Sequence, residues 1–196
     1  MTWMLTATGT VFELRLIDMA NVDILDVAHS LANINRYTGH AARPMSVAEH
    51  SLLVEEIMQR ELAEHRPAVL LAALLHDAHE AYTGDMGTPM KQLLGEPWHR
   101  EEERIQRHVL RSFGLWSTSR THRQRIKQAD LIALATERRD LLPPCGPAWP
   151  VLDGVSPASW INLQQRAGLS WQDWRQAFVD RFSALRMAAQ GERELA

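Results

Sequence analysis

Cysteine is almost missing from this chain. Cys145 is the single one, so neither an internal disulfide nor a thiolate zinc site can form, and a reducing compartment is the expected environment. Lysine is nearly as scarce, with only Lys91 and Lys127 among 21 basic side chains. Acidic groups number 24 and leave a net charge of −3, so no global positive field draws the chain to nucleic acid or to an anionic membrane. Long apolar runs are absent as well. The longest patch, Ala68–Leu75 (AVLLAALL), falls well short of the roughly 20 residues that span a bilayer and reads as a buried helix. Residues 1–10 carry no basic stretch followed by an apolar one, so a cytoplasmic location is expected. What remains is ordinary: 45% hydrophobic and 23% charged residues over 196 positions, proportions that exclude disordered and collagen-like classes and suit one domain with a sizeable core.

Helical spacing dominates the pattern. Behind Asp23 as a cap, Ile24, Val27, Ala28 and Leu31 predict a helix ending near Asn33. A polar, basic loop, NRYTGHAARP (35–44), follows. Ser46-Val47-Ala48-Glu49 reads as a capping box in which the Ser46 hydroxyl accepts from a first-turn amide and Glu49 reaches back to the Ser46 amide. In the helix it opens, His50 shares the sector of Val47 and Val54 and so points inward. Pro67 suits the first turn of a helix predicted to run through the apolar patch into HDAHEAY and to end near Gly84. Further helices are expected around Met90–Leu94, Trp98–Phe113 and Thr121–Arg139, and from a Ser170 cap to about Ala189, with a Pro/Gly-rich loop over Pro143–Pro157. Two β-branched stretches about Gly9, Trp3–Thr6 and Thr10–Leu14, suggest a hairpin. The expected fold is all-α with a small N-terminal hairpin.

Four residues stand out chemically: His50, the adjacent pair His76-Asp77, and Asp130. Two imidazoles and two carboxylates make a mixed nitrogen/oxygen set that neutralises a divalent cation. Each sits at a position whose neighbours one turn away are apolar, and an inward Asp130 left unpaired would cost several kcal/mol. Successive helix residues are about 100° apart, so His76 and Asp77 can share an ion only near a helix end that permits adjustment. The remaining histidines read as surface or packing residues, with His79 the nearest to the ligands by position.

The ordered pattern His50, His76-Asp77, Asp130, together with NINRYTGHAARPMSVAEHS (33–51) and LLHDAHEAYTGDMGTPMK (74–91), resembles the HD-domain metal-dependent phosphohydrolases. The likeness is to the branch with deoxynucleoside 5′-monophosphatases and small dNTP triphosphohydrolases. It covers roughly residues 23–140, leaving 1–22 as a hairpin and 141–196 as a C-terminal extension packed on one HD-domain helical bundle. The resemblance implies that His50, His76, Asp77 and Asp130 bind one divalent metal ion: Mn, Co, Ni, Fe or Zn, with Mg also admissible. It further implies that Glu80 and Asp85 handle water and the leaving group, and that Arg36 holds phosphate. Lys91, Arg43 and His40 join Arg36 as expected substrate-binding cations. Tyr37 departs from the nucleotidase branch, which carries Trp there.

The implied reaction is hydrolysis of a deoxynucleotide phosphate by a metal-activated water, 5′-nucleotidase-like. Release of tripolyphosphate from a dNTP is the alternative, and a non-catalytic nucleotide-binding module is the alternative of another class. Expected partners are a small-molecule nucleotide and further copies of the chain, through aromatic-bearing helices, with neither nucleic acid nor membrane.

Overall fold

At Gly9 the backbone turns with a φ of 86°, a value open to glycine without a steric cost. Strands β1 (Trp3–Leu5) and β2 (Val11–Glu13) pair antiparallel on either side of it, Met4 opposite Phe12. A two-stranded ribbon is marginal alone, and this one is tied down at both ends. Phe12 is buried and stacks on Tyr82 with ring centroids 3.7 Å apart, while the Thr8 amide and hydroxyl donate to the Asp26 carboxylate at 2.7 and 2.8 Å. The structure, a computed structural model, describes residues 2–194; residue 1 and residues 195–196, which the expected domain limits include, lie outside the described residues.

Nine α-helices and four short 3-10 helices make up the rest of the regular structure among the described residues. α1 (Ile24–Asn33) starts at Asp23, whose carboxylate accepts from the Leu25 amide at 2.8 Å. α2 (Val47–Arg60) starts at Ser46, whose hydroxyl accepts from the Glu49 amide at 3.1 Å. α3 (Pro67–Leu74) opens on proline and is buried on nearly every side, as its unbroken apolar run requires. α4 (Glu80–Thr83), α5 (Thr88–Leu94), α6 (Glu96–Ser112), α7 (Trp116–Thr121) and α8 (Arg123–Leu141) follow, and α9 (Trp171–Glu194) closes the chain. α7 lies in a stretch where no separate helix is expected from the pattern. α2 packs between α3 and α8, and α9 lies across α1 and α3. All these α-helices except α5, which buries no residue, meet in one continuous apolar cluster that includes Leu31, Leu53, Ile57, Leu71, Leu74, Ala133 and Phe178. No helix among the described residues is long and apolar enough to cross a membrane.

Two local expectations are corrected. The capping box is only half formed: the Glu49 carboxylate does not return to the Ser46 amide but takes two hydrogen bonds from Arg43, at 2.7 and 2.8 Å. A buried carboxylate gains more from a charged, bidentate donor than from a backbone amide. The second correction is that α3 does not continue through HDAHEAY. It stops at Leu74, and residues 75–79 form tight turns before α4.

Candidate metal centre

The break after α3 shapes the centre. Between His76 and Tyr82 most backbone amides bond three residues back: His76 to Ala73 at 3.2 Å, Ala78 to Leu75 at 3.2 Å, Glu80 to Asp77 at 3.0 Å and Tyr82 to His79 at 2.9 Å among them. Tighter winding changes the angle between successive side chains from that of an α-helix, and it lets neighbouring His76 and Asp77 face one point. Gln106 of α6 stabilises this geometry. Its amide nitrogen donates to the Leu75 and His76 carbonyls at 2.8 and 2.7 Å, and its oxygen accepts from the His79 amide at 2.9 Å.

His50 comes from the first turns of α2 and Asp130 from the middle of α8. His50 Nε2 lies 3.3 Å from His76 Nε2 and 3.3 Å from Asp130 Oδ1. Asp77 Oδ2 is 3.1 Å from His76 Nε2 and 3.6 Å from His50 Nε2. Ligand atoms of His50, His76 and Asp130 all lie within 4.8 Å of one another, a group able to hold a metal ion. His50 is fully buried, whereas the Asp77 and Asp130 side chains keep 24% and 19% of their exposure, so the centre opens to solvent on its carboxylate side. Although burial opposes ionisation, the His76 and His50 charges hold Asp77 well below the usual carboxylate range. Asp130 is depressed in the same way, against burial, by its hydrogen bond to His50.

Around these four the expected helpers divide. Glu80 is buried at the start of α4, and burial, with the charges of Asp77 and Asp85, pushes its carboxyl well above the usual range. Its Oε2 has no protein partner. Asp85 is half-buried, within electrostatic reach of Glu80 and Arg36. Arg36 is buried beside the centre, its Nε donating to Glu137 at 3.0 Å. Lys91 pairs with Glu102 at 2.7 Å, and its charge also acts on Glu80 and Asp77.

Two further expected cations, Arg43 and His40, bond none of the four cluster residues among the described residues. All three guanidinium nitrogens of Arg43 are engaged, by Glu49, the Pro44 carbonyl and the Leu163 carbonyl, so this arginine braces the α2 entrance against the C-terminal segment. His40 is exposed at the end of the turn after Arg36, with no side-chain hydrogen bond among the described residues.

One residue at the centre escapes the sequence reading altogether. Glu137 is fully buried on α8, with Oε1 2.6 Å from His50 Nδ1 and Oε2 accepting from Arg36 and from the Tyr37 hydroxyl. Its signal is its spacing: seven residues, or two helical turns, beyond Asp130 on the same face. Burial works against its charge, but Arg36 and His50 outweigh it and lower the carboxyl to about 2.

No protein-family model matches the chain. Two relatives are similar in sequence. The "Uncharacterized protein RCAP_rcc00048" of Rhodobacter capsulatus is 38% identical over 124 residues, 62% of this chain and 63% of that protein. The "Uncharacterized protein YfdR" of Escherichia coli (strain K12) is 38% identical over 163 residues, 83% of this chain and 85% of that protein. With that much of both sequences shared, the chain belongs to the family of YfdR.

Proposed function

We propose that this protein is a metal-dependent phosphohydrolase of the HD type, hydrolysing the phosphate of a deoxynucleotide. The observation that carries the reading is the meeting of two imidazole nitrogens 3.3 Å apart with carboxylate oxygens of Asp77 and Asp130 at 3.1 and 3.3 Å from them. The donor set fits a divalent ion. His76 Nδ1 lies 2.9 Å from the Ala73 carbonyl, which only accepts, so Nδ1 donates there and Nε2 is the His76 atom turned toward the cluster. With both Nε2 atoms deprotonated, two imidazoles and two carboxylates would offer one point a donor set that a divalent cation neutralises. His50, His76, Asp77 and Asp130 would hold it. Nitrogen and oxygen donors suit Mn, Fe, Co, Ni or Zn. When bound, such an ion acidifies a coordinated water and neutralises charge developing on phosphoryl oxygens.

The protein's own groups supply the rest. Glu80 follows Asp77 by one tight turn, and its unpartnered, proton-avid carboxyl is suited to take a proton from the attacking water. Asp85, beside it, would orient that water or protonate the departing oxygen. Arg36 presents terminal nitrogens that bond no other described residue, so they can grip phosphate in bidentate fashion. Lys91 would exchange Glu102 for a phosphate oxygen.

The test is a panel of dNMPs, NMPs, dNTPs and NTPs incubated with each metal, with products separated by chromatography. Inorganic phosphate from dNMPs is the expected product; tripolyphosphate would assign a dNTP triphosphohydrolase. Nucleotide binding without turnover under every metal would point to a non-catalytic module. Asp77→Ala is expected to abolish turnover and bound metal together, and full activity in that variant would overturn the reading.

A further inference from the structure

Glu137 joins two parts of the centre that come from different segments. Its Oε1 faces His50 Nδ1 at 2.6 Å, and its Oε2 takes the Arg36 Nε–H at 3.0 Å together with the Tyr37 hydroxyl. Resting on the phosphohydrolase reading, we propose that Glu137 is the positioning residue that aims the histidine at the metal and the arginine at the phosphate, through one carboxylate. A carboxylate is acceptor-only, so it selects the His50 tautomer with the proton on Nδ1 and turns Nε2 toward the cluster. By engaging Arg36 through Nε, it leaves the terminal nitrogens of the guanidinium for an anion.

Two features of the fold serve this contact. The loop carrying Arg36 is clasped against the start of α2: the Arg36 amide donates to the Met45 carbonyl at 2.8 Å, and the Val47 amide to the Ile34 carbonyl at 3.0 Å. Within that loop Tyr37 and Thr38 adopt φ values of 58° and 52°, left-handed conformations that strain non-glycine residues. This strained turn sets the phenol against Oε2. Tyr37 thus closes the last open side of a carboxylate that already holds an arginine and a histidine.

The isosteric Glu137→Gln is the informative variant. A carboxamide has one accepting oxygen, so its NH2 must face either His50 Nδ1–H or the Arg36 and Tyr37 donors, and one side loses its partner. Metal affinity, followed with Co2+ alone, is expected to fall roughly 10- to 100-fold. Imidazole 15N spectra of the metal-free protein, taken at a pH where His50 is neutral, are expected to show a single Nδ1–H tautomer in wild type and a mixture in the variant. Tyr37→Phe keeps the ring and removes one donor, so it should shift both readouts in the same direction by less. Arg43→Ala, which breaks a buried pair not assigned to the cluster, should lower the melting temperature without altering the tautomer. Wild-type tautomer and Co2+ affinity in both Glu137→Gln and Tyr37→Phe would overturn the proposal. Should Glu137→Gln fail to fold, Tyr37→Phe alone decides, and unchanged readouts there overturn it. A wild type with a fixed tautomer that binds no Co2+ would sink the phosphohydrolase reading while sustaining the role of Glu137 in orienting His50.

Discussion

A carboxyl group shut away from water becomes a better proton acceptor, and Glu80 is in that position, buried between the charges of Asp77 and Asp85. If it takes the proton from the attacking water, Glu80→Gln should retain the metal while kcat falls by about 10²- to 10⁴-fold; equal kcat in the variant would remove Glu80 from the mechanism. At this scale the clustering His50, His76 and Asp130 side chains are legible because histidine and aspartate at inward helical positions have few other uses. Glu137 is not. It stands in the run TERRD (136–140) beside two arginines, where a glutamate reads as part of a solvated, salt-bridged face. Its two-turn spacing from Asp130 is the one sequence sign that it turns inward. Arg43 misleads in the opposite way: an arginine on a basic loop suggests phosphate, yet its guanidinium is committed to Glu49 and two carbonyls.

Among the elements, helix starts were readable because capping is local chemistry. Asp23 and Ser46 cap as their side chains predict, and the Ser170–Asp173 box at α9 closes both ways, at 2.7 and 3.3 Å. The break at His76-Asp77 was not readable, since AVLLAALLHDAHEAY carries neither proline nor glycine. The partner that sustains the break, Gln106, lies some 30 residues away on another helix. Gln106→Ala would leave two backbone groups of the tight turns unpaired, the His76 carbonyl and the His79 amide, which costs about 1–3 kcal/mol for each one that water does not reach; both the melting temperature and Co2+ affinity should fall. Arg43→Ala gives the contrasting pattern. Removing the partner of buried Glu49 should destabilise the fold by about 3–5 kcal/mol, seen in urea denaturation, with Co2+ affinity preserved. A loss of Co2+ binding in folded Arg43→Ala would return this arginine to the centre.

For the whole molecule, distant segments are joined by buried charge as well as by apolar packing. Glu64, between α2 and α3, accepts from Arg66 at 2.6 and 2.8 Å and from Arg125 of α8 at 2.8 Å. The Arg66 hydrogen bonds are the main cause that lowers its carboxyl to about 2. The unfolded value is about 4.3. Because the folded value is the lower, this contribution is fully present above the unfolded value and is lost as pH falls toward the folded one. Urea denaturation between about pH 6 and pH 2 should show the stability gap between wild type and Glu64→Gln closing over the acid end; a constant gap would contradict the assignment. The same long-range assembly builds the candidate metal centre, whose side chains come from α2, the turns after α3, and α8. An ion bound there favours the folded chain over the unfolded one. The most direct measurement is therefore a titration of the purified, metal-free protein with Co2+, followed by visible absorption. Ligand-field bands that grow to a break at one equivalent, and vanish in His76→Ala and Asp130→Ala, are the predicted result; a wild type without such bands, or variants that keep them, would contradict the convergence of these side chains on a single ion.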